Sequence, residues 1–311
     1  MPLTESDTHH LLGLDGMSAE EILGLIDRAE LLLPVVRGEQ PPFSTLHGQL
    51  IANLFLEDST RTRGSFTVAT KRLGGETVDL TGKGSSASKG ESLLDTAKNL
   101  EAMGVNGLVI RCSEAGGPHL VAQNVDIPVI NAGDGRHEHP TQALLDLMTM
   151  RQELETLAHK RVAIVGDIAG SRVARSNIFG MVSLGMQVIL VGPPDLVHAS
   201  FLEITSGPGT VEINHDLESI LSDIDAIMML RVQFERHGDG VIRDDYRDLY
   251  GLTTARAQKL RPGVKIFHPG PLNRGFEIED TMADDPERSV ILSQVTNGVA
   301  IRMAILERGN N

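Results

Sequence analysis

Short apolar segments alternate with amphipathic helical patterns along almost the whole chain of 311 residues. The series opens with a helical pattern from Ser18 to Val36, and apolar segments follow at 49–56, 107–110 and 128–130. Strands that alternate with helices predict a parallel sheet covered on both faces. A second series has its apolar segments at 161–165, 187–191, 225–230 and 264–267. The sequence therefore predicts an α/β fold with two doubly wound units, each a parallel sheet flanked by helices.

The length and the second alternating series indicate two domains. A typical domain has roughly 100 to 200 residues, so that 311 residues suffice for two. We place the first domain at residues 1–145 and the second at residues 146–292, joined by helices. We expect a C-terminal helix at residues 293–308 to pack back on the first domain. Two domains offer a cleft in which a substrate can bind.

The composition narrows the class of function. The 28 basic and 42 acidic residues give a net charge of −14, which argues against a nucleic-acid or anionic-membrane surface, because like charges repel. No segment approaches the roughly 18 uninterrupted apolar residues of a membrane span. We therefore expect a cytoplasmic protein that binds neither nucleic acid nor membrane. The single Cys112 excludes an internal disulfide, fits a reducing compartment and is interpreted as a small buried residue.

Hydroxyl and guanidinium groups are concentrated where the first strand gives way to a helix. Segment 59–63 reads STRTR and follows the apolar segment 49–56. The free backbone N–H groups and the positive end of the helix dipole would meet arginine side chains there, and the arginine fork donates two parallel hydrogen bonds to phosphate oxygens. We interpret the segment as a phosphate site. A capped helix with solvated basic side chains is the competing interpretation.

Two further segments carry candidate polar groups. Segment 82–91, GKGSSASKGE, has no apolar anchor and predicts a loop. It is either an ordinary surface loop or an arm that brings Ser85 and Lys89 to an anion. In segment 131–142, NAGDGRHEHPTQ, His139 precedes a proline at the start of a predicted helix. An imidazole at that position can hydrogen-bond a substrate carbonyl, although lone histidines are more often structural.

Neither a metal-binding motif nor a nucleotide-binding motif is complete in this sequence. The pair His137-x-His139 shows no clear third ligand, and His137 is interpreted as a structural or solvated residue. After the predicted strand 161–165 the sequence continues G-D-x-x-G in place of G-x-G-x-x-G, and no Walker A motif occurs. We therefore predict no metal and no cofactor. Arg172, at the start of the next helix, is interpreted as either a ligand-binding or a solvated residue.

Polar segments also follow two later strands, and ligands of open α/β sheets bind at the carboxyl ends of strands. In LRVQFER, Arg231 and Gln233 point to the same side if the chain stays extended, which makes them a donor pair for a carboxylate. In HPGPLNR, two prolines remove backbone donors and leave the carbonyls of Pro269 and Gly270 as acceptors for substrate N–H groups. A strand-to-loop transition with chance polarity is the alternative for both segments.

Five segments follow one another along nearly the whole chain: STRT, KGE, HPTQALLDL, LRVQ-x-ER and HPGPLNRG. In this combination the chain resembles the catalytic chains of the aspartate carbamoyltransferases, within the aspartate/ornithine carbamoyltransferase superfamily. The resemblance implies transfer of a carbamoyl group from carbamoyl phosphate to L-aspartate, the committed step of de novo pyrimidine biosynthesis. It implies no cofactor and a homotrimer with shared active sites. It leaves open whether trimers assemble into a dodecamer with dihydroorotase or with regulatory chains.

Residue roles follow from the resemblance alone. The residues that it implies for carbamoyl phosphate binding are Ser59, Thr60, Arg61, Thr62, Ser85, Lys89, Arg111, His139, Gln142, Pro269 and Gly270. Among them, the neighbouring subunit would supply Ser85 and Lys89. The residues implied for catalysis are Arg61, Thr62, His139 and Lys89. The residues implied for aspartate binding are Lys89, Arg172, Arg231 and Gln233. The pair implied for domain closure is Glu57 and Arg236.

Three alternatives accompany this interpretation. An ornithine carbamoyltransferase shares the first-domain chemistry, but Arg172 and Arg231 would repel the ammonium group of ornithine. Thr141 also fits the aspartate branch, because the ornithine branch usually shows cysteine in the equivalent motif. A catalytically silent scaffold would lack at least one of three residues, all of which are present: Arg61, His139 and Lys89. A nicotinamide-dependent dehydrogenase is the remaining alternative.

Overall fold

The computed structural model describes residues 9–82, 90–204, 206–233 and 245–310. The elements of the first half are α1 Ala19–Val36, β1 Leu50–Phe55, α2 Thr60–Arg72, β2 Glu76–Thr81, α3 Leu93–Ala102, β3 Gly107–Cys112, α4 Gly117–Ala122, β4 Val129–Asp134 and α5 Pro140–Leu154. Those of the second half are β5 Arg161–Val165, α6 Arg172–Ser183, β6 Gln187–Val191, β7 Thr210–Asn214, β8 Ala226–Met229, α7 Tyr246–Tyr250, α8 Thr254–Ala257, β9 Lys265–Phe267, α9 Asp280–Ala283 and α10 Ile291–Asn310. No helix in these ranges is long and apolar enough to cross a membrane.

The chain divides into two compact units. Unit 1 contains the described residues of 1–14, 20–144 and 296–311, and unit 2 contains those of 15–19 and 145–295. Two helices, α5 and α10, start in one unit and end in the other. The C-terminal part of α10 belongs to unit 1, together with the segment that precedes α5.

The sheet of unit 1 has four parallel strands in the order β2-β1-β3-β4. The inner strands β1 and β3 are almost continuously apolar because helices and neighbouring strands cover them on all sides, and their side chains are buried. The edge strand β2 reads ETVDLT and is only half-buried. Its weak apolar pattern explains why the sequence analysis contains no strand at this position.

The sheet of unit 2 has five parallel strands in the order β7-β6-β5-β8-β9. Its core is a cluster that includes aliphatic side chains of β5, β6 and β8, among them Val165, Ile189 and Ile227. The edge strand β7 reads TVEIN and is half-exposed, and it too was not predicted from the sequence, because its apolar pattern is weak. The other strands coincide with the predicted apolar segments to within two residues or overlap them. The predicted fold class, parallel sheets flanked by helices, is confirmed.

The single cysteine is a core residue of unit 1. Cys112 ends β3 with its side chain fully buried, and its thiol lies 3.4 Å from the carbonyl oxygen of Glu114. Burial, reinforced by the negative charge of Asp134, raises the pKa of the Cys112 thiol to about 12. The thiol is therefore protonated at neutral pH, in agreement with its interpretation as a small buried residue.

Candidate active site

In unit 1, the parallel order of the strands brings the ends of β1, β3 and β4 side by side. Phe55 at the end of β1 pairs with Arg111 of β3, and the backbone N–H of Leu56 donates to the carbonyl of Arg111 at 2.8 Å. Three predicted site segments follow these strands: residues 57–62, the end of β3 and the loop before α5. The fold therefore gathers at one sheet edge groups that are far apart in the sequence.

The first of these segments forms the N-terminus of α2. Ser59 occupies the N-cap position in an extended conformation, with φ −160° and ψ 90°, and its side chain makes no capping hydrogen bond within the described residues. The N–H groups of the first turn are therefore not occupied by the usual cap, and they carry the positive end of the helix dipole. Thr62, in that turn, is buried. This arrangement suits a phosphate, as the sequence predicted for Ser59, Thr60 and Thr62.

Arg61 adds a full positive charge to the same turn. Partial burial lowers the pKa of its guanidinium, but an arginine loses its charge only far above neutral pH. In the ranges that the structure describes, no carboxylate forms an ion pair with Arg61. A guanidinium that is partly desolvated and without a counter-charge attracts an anionic ligand more strongly than a fully solvated one.

Arg111 provides a second cation at this sheet edge. Its Nη1 donates to the carbonyl of Ala132 at 3.3 Å, which ties the end of β3 to β4. Its Nε lies 3.6 Å from the Oε2 of Glu57, and both side chains are mostly buried. Glu57 thus contacts Arg111 here, whereas its predicted partner for domain closure, Arg236, lies outside the described residues.

The loop from β4 to α5 is organised around the buried carboxylate of Asp134. Its Oδ2 accepts hydrogen bonds from the Gly116 N–H at 2.7 Å and pairs with His137 Nδ1 at 2.9 Å. Its Oδ1 accepts from Asn131 Nδ2 at 2.9 Å and from the Glu138 N–H at 3.0 Å. Burial alone would raise the pKa of Asp134, but these hydrogen bonds lower it overall. The carboxylate therefore stays ionised and fixes the loop that leads to His139.

His139 ends this loop immediately before α5 and is only 4% exposed. Its carbonyl accepts hydrogen bonds from the N–H groups of Gln142 at 3.0 Å and Ala143 at 3.3 Å, so the residue caps the helix through its backbone. Its Nδ1 lies 3.4 Å from the hydroxyl of Thr141. When that hydroxyl donates to Nδ1, the ring proton resides on Nε2, which is then a donor for a carbonyl oxygen. Gln142 is likewise nearly buried.

In unit 2, the loop after β5 leads directly into α6. The N–H of Gly170 donates to Asp167 Oδ1 at 2.9 Å, and Ser171 caps α6 by accepting from the N–H of Ala174 at 3.1 Å. Arg172, the first residue of α6, is only 4% exposed. The alternative of a solvated helix arginine is therefore wrong, and a buried guanidinium at a helix start is a strong site for an anion.

The segment after β8 lies beside this loop. Val232 is fully buried, whereas Arg231 and Gln233 on either side of it are half-buried, as expected for an extended chain with alternating faces. The Nε2 of Gln233 donates to the carbonyl of Gly170 at 3.0 Å. This bond ties the end of β8 to the loop that precedes Arg172, so both predicted aspartate-binding segments belong to one edge of the unit 2 sheet.

The loop after β9 carries the predicted carbonyl acceptors, Pro269 and Gly270. His268 is fully buried, and its Nδ1 accepts from the N–H of Gly270 at 2.8 Å. Its Nε2 consequently carries the ring proton and faces the Oε1 of buried Glu277 at 3.2 Å. The same Glu277 oxygen accepts from the N–H of Asn273 at 2.5 Å. These contacts use the N–H groups of Gly270 and Asn273 as donors, and the carbonyl groups of Pro269 and Gly270 remain as acceptors.

A second buried carboxylate, that of Asp146, is linked to this loop by a chain of hydrogen bonds. Asp146 accepts from Asn177 Nδ2 at 2.8 Å and from Gln294 Nε2 at 2.7 Å, and all three residues are buried. Gln294 then accepts, through Oε1, the N–H of His268 at 3.0 Å. The sequence analysis missed Asp146, Asn177 and Gln294, because lone polar residues inside predicted helices give no signal of a shared contact.

The structure thus places the predicted residues of each unit at the carboxyl edge of its own sheet. In unit 1 these are Glu57, Ser59, Thr60, Arg61, Thr62, Arg111, His139 and Gln142. In unit 2 they are Arg172, Arg231, Gln233, Pro269 and Gly270. Three predicted residues lie outside the described part of the chain: Ser85, Lys89 and Arg236.

Family models match nearly the whole chain. Residues 9–152 match the carbamoyl-P binding domain of the aspartate/ornithine carbamoyltransferases, and residues 158–308 match the Asp/Orn binding domain. The chain belongs to this family. The expectation drawn from the five sequence segments is confirmed at this level.

Individual aspartate/ornithine carbamoyltransferases lie close to this chain in sequence. A protein of Granulibacter bethesdensis named aspartate carbamoyltransferase catalytic subunit is 49% identical over 300 residues, which cover 96% of this chain and 93% of the relative. A protein of Myxococcus xanthus with the same name is 48% identical over 300 residues, covering 96% of this chain and 98% of the relative.

Solved structures of the family have the same fold. Aspartate transcarbamoylase from Trypanosoma cruzi, in complex with carbamoyl phosphate and aspartate, superposes with a TM-score of 0.89 at 28% identity over 99% of this chain and 98% of that chain. The catalytic subunit of M. jannaschii aspartate transcarbamoylase gives a TM-score of 0.85 at 31% identity over 97% of each chain.

The buried carboxylate of unit 2 yields a stability prediction. In Asp146→Ala, two buried amide donors lose their acceptor, each at a cost of about 1–3 kcal/mol, so the free energy of unfolding should fall by about 2–6 kcal/mol. Asp146→Asn keeps an acceptor oxygen and should lose less. The exposed Asp195 provides the control, since Asp195→Ala should change the free energy by less than about 0.5 kcal/mol. Urea unfolding followed by circular dichroism measures all three variants, and equal losses in Asp146→Ala and Asp195→Ala would refute the role of Asp146.

Proposed function

We propose that this chain is an aspartate carbamoyltransferase, which converts carbamoyl phosphate and L-aspartate into N-carbamoyl-L-aspartate and phosphate. The observation that carries the proposal is the pair of cations at one edge of the unit 2 sheet, buried Arg172 and half-buried Arg231. Two guanidinium groups suit the two carboxylates of aspartate and repel the ammonium group of ornithine. The names of the relatives support the same substrate.

Unit 1 is proposed to bind carbamoyl phosphate. The uncapped first turn of α2 would donate its N–H groups and the hydroxyls of Ser59, Thr60 and Thr62 to the phosphate oxygens. Arg61 and Arg111 would neutralise the phosphate charge. In unit 2, the carbonyls of Pro269 and Gly270 would accept the N–H groups of the carbamoyl amide, which Gln142 of unit 1 would also orient. Ser85 and Lys89 are proposed to act from a neighbouring subunit.

The proposed chemistry is a direct acyl transfer. The neutral amine of aspartate attacks the carbamoyl carbon, and a C–N bond forms while negative charge develops on the carbonyl oxygen. Fixed donors from Arg61, Thr62 and the Nε2 of His139 stabilise that charge, which is the largest contribution expected from the protein. The C–O bond to phosphate then breaks, and the departing phosphate accepts the amine proton. Much of the remaining rate enhancement comes from binding the two substrates side by side in a reactive orientation.

The cellular setting is part of the same proposal. The reaction is the committed step of de novo pyrimidine synthesis, and we place the enzyme in the cytoplasm. We propose a homotrimer, because Lys89 would complete the active site of a neighbouring subunit. Glu57 and Arg236 would form the pair that stabilises the closed state.

The choice of substrate is tested by a colorimetric assay of N-carbamoyl product with aspartate and ornithine side by side. We expect turnover with aspartate and none with ornithine. Arg231→Ala should raise the KM for aspartate about tenfold to a hundredfold, since a charge-assisted hydrogen bond contributes about 1.5–3 kcal/mol. The control is Lys160→Ala, which removes a cation at the opposite end of β5 and should leave KM unchanged. Product formation with ornithine at a comparable rate would overturn the assignment.

The role of the α2 N-terminus is tested by Arg61→Ala. Loss of a charged donor to the developing oxyanion should reduce kcat by about 10² to 10³-fold while the protein remains folded. Arg72→Ala, in the last turn of the same helix, removes the same charge far from the phosphate site and should retain parental activity. Steady-state kinetics and circular dichroism are the measurements. An Arg61→Ala enzyme of near-parental activity would contradict the phosphate-site assignment.

Shared active sites are tested by mixing two inactive variants. Lys89→Ala and Arg231→Ala should each show little activity alone when the aspartate concentration is kept well below the KM of Arg231→Ala. After unfolding and joint refolding at equal concentrations, about one quarter of the sites in random trimers would combine an intact Lys89 with an intact Arg231. We therefore expect about one quarter of the parental activity. If mixed trimers form and stay inactive, the subunits do not share their sites.

A further inference from the structure

Three potential metal ligands converge in unit 1 outside the proposed substrate-binding residues. His119 lies on α4, Asp134 ends β4, and His137 lies in the turn that follows. One ligand atom from each residue can be chosen so that all three atoms lie within 4.8 Å of one another. The two imidazole rings meet edge to face, with centroids 5.8 Å apart and an interplanar angle of 63°. No third ligand was predicted for His137, because His119 is 18 positions away along the chain and only the fold brings it to Asp134 and His137.

The spacing fits the coordination shell of one ion. Two ligand atoms at about 2.1 Å from a metal are about 3.0–3.4 Å apart when they subtend 90–110°. The Nδ1 of His137 is 2.9 Å from the Oδ2 of Asp134, which is close to the expected separation of two ligand atoms around one ion. Since the three atoms lie within 4.8 Å of one another, His119 needs to approach by at most about 1.4–1.8 Å. Rotation of the His137 ring, whose side chain is 38% exposed, gives part of that adjustment and leaves the site open to solvent.

The carboxylate of the cluster is held in place by groups that an ion would not displace. The Gly116 N–H, Asn131 Nδ2 and Glu138 N–H all donate to Asp134, at 2.7, 2.9 and 3.0 Å. Hydrogen bonds of this kind fix the orientation of metal-binding carboxylates and strengthen the site. Of the four hydrogen bonds to Asp134, an ion replaces only the one from His137. A neutral His137 carries its ring proton on Nε2 once the ion binds Nδ1, whereas a protonated His137 releases one proton to solvent.

His119 gives an independent reason to expect a ligand. Its Nδ1 is buried, and in the described part of the chain it has no hydrogen-bond partner. A buried polar atom without a partner is costly, and coordination to a metal would satisfy it. His119 therefore has one ring nitrogen whose hydrogen bonding is incomplete, and the residue belongs to a cluster of three potential metal ligands.

We propose that His119, Asp134 and His137 bind one divalent transition-metal ion such as Zn²⁺. Two imidazoles and one carboxylate favour Zn²⁺, Ni²⁺ or Co²⁺ over Mg²⁺ and Ca²⁺, which prefer shells made of oxygen alone. Water would fill the remaining coordination positions. The ion would stabilise the loop between β4 and α5, which leads to His139. It is not a participant in the proposed carbamoyl transfer, since none of its ligands belongs to the substrate-binding set.

The test is isothermal titration of the tag-free full chain with ZnCl₂ in a non-chelating buffer. We expect one ion per chain. His119→Ala and His137→Ala should each weaken binding at least about tenfold, because even the loss of a group that only orients a ligand costs 10- to 100-fold in affinity. The exposed His47 of the same unit is the matched control, and His47→Ala should bind Zn²⁺ as the parent does.

X-ray absorption of the zinc-loaded parent provides a second readout that does not depend on the folding of the variants. The expected shell contains two imidazole nitrogens and otherwise oxygen. The proposal is overturned if the parent binds no zinc saturably, if neither His119→Ala nor His137→Ala weakens binding, or if the spectrum shows a sulfur ligand. Circular dichroism of His119→Ala and His137→Ala separates a lost ligand from a lost fold.

Discussion

A carboxylate that is removed from water requires hydrogen-bond donors, and in each unit of this protein the donors around one buried carboxylate help to fix loops that follow the strands. In unit 1, Asp134 gathers the N–H groups of Gly116 and Glu138 and thereby joins the loops after β3 and β4. In unit 2, Asp146 holds Gln294, which in turn holds the backbone of His268. The loops that carry the proposed substrate contacts are therefore fixed by buried charges rather than by apolar packing alone.

This arrangement explains how a strongly acidic chain can bind anions. With a net charge of −14, the average field repels phosphate and carboxylate groups, so binding depends on local concentrations of positive charge. The buried carboxylates accept hydrogen bonds from nearby donors, and Arg61 and Arg172 lie in the first turns of helices, where the helix dipole adds to their positive charge. Because Arg172 is buried, water would screen its interaction with a bound carboxylate less.

The sequence predicted the inner strands of both sheets because those strands are apolar on both faces. It did not predict β2 and β7, whose exposed faces carry Thr, Glu and Asp, so that their apolar content is too low to identify them. At the sites, residues in short contiguous segments were predicted, as with Ser59 to Thr62. Contacts between distant residues were not: Asp146 and Gln294 are 148 positions apart, and only the fold brings them together. The roles of individual residues came from the resemblance to a family, not from periodicity.

Asp134 connects the proposed metal site with the proposed catalytic loop. The contacts that hold the loop near His139 use the Asp134 atoms that bind Asn131 and the Glu138 N–H, while the ion would use the oxygen that faces His137. An ion and a substrate would therefore bind to different atoms of one loop and need not compete. If the ion favours the loop conformation that presents His139 to the substrate, linkage requires that the substrate strengthen ion binding by the same factor. If both loop conformations bind the ion equally, the ion adds stability to unit 1 without changing substrate affinity.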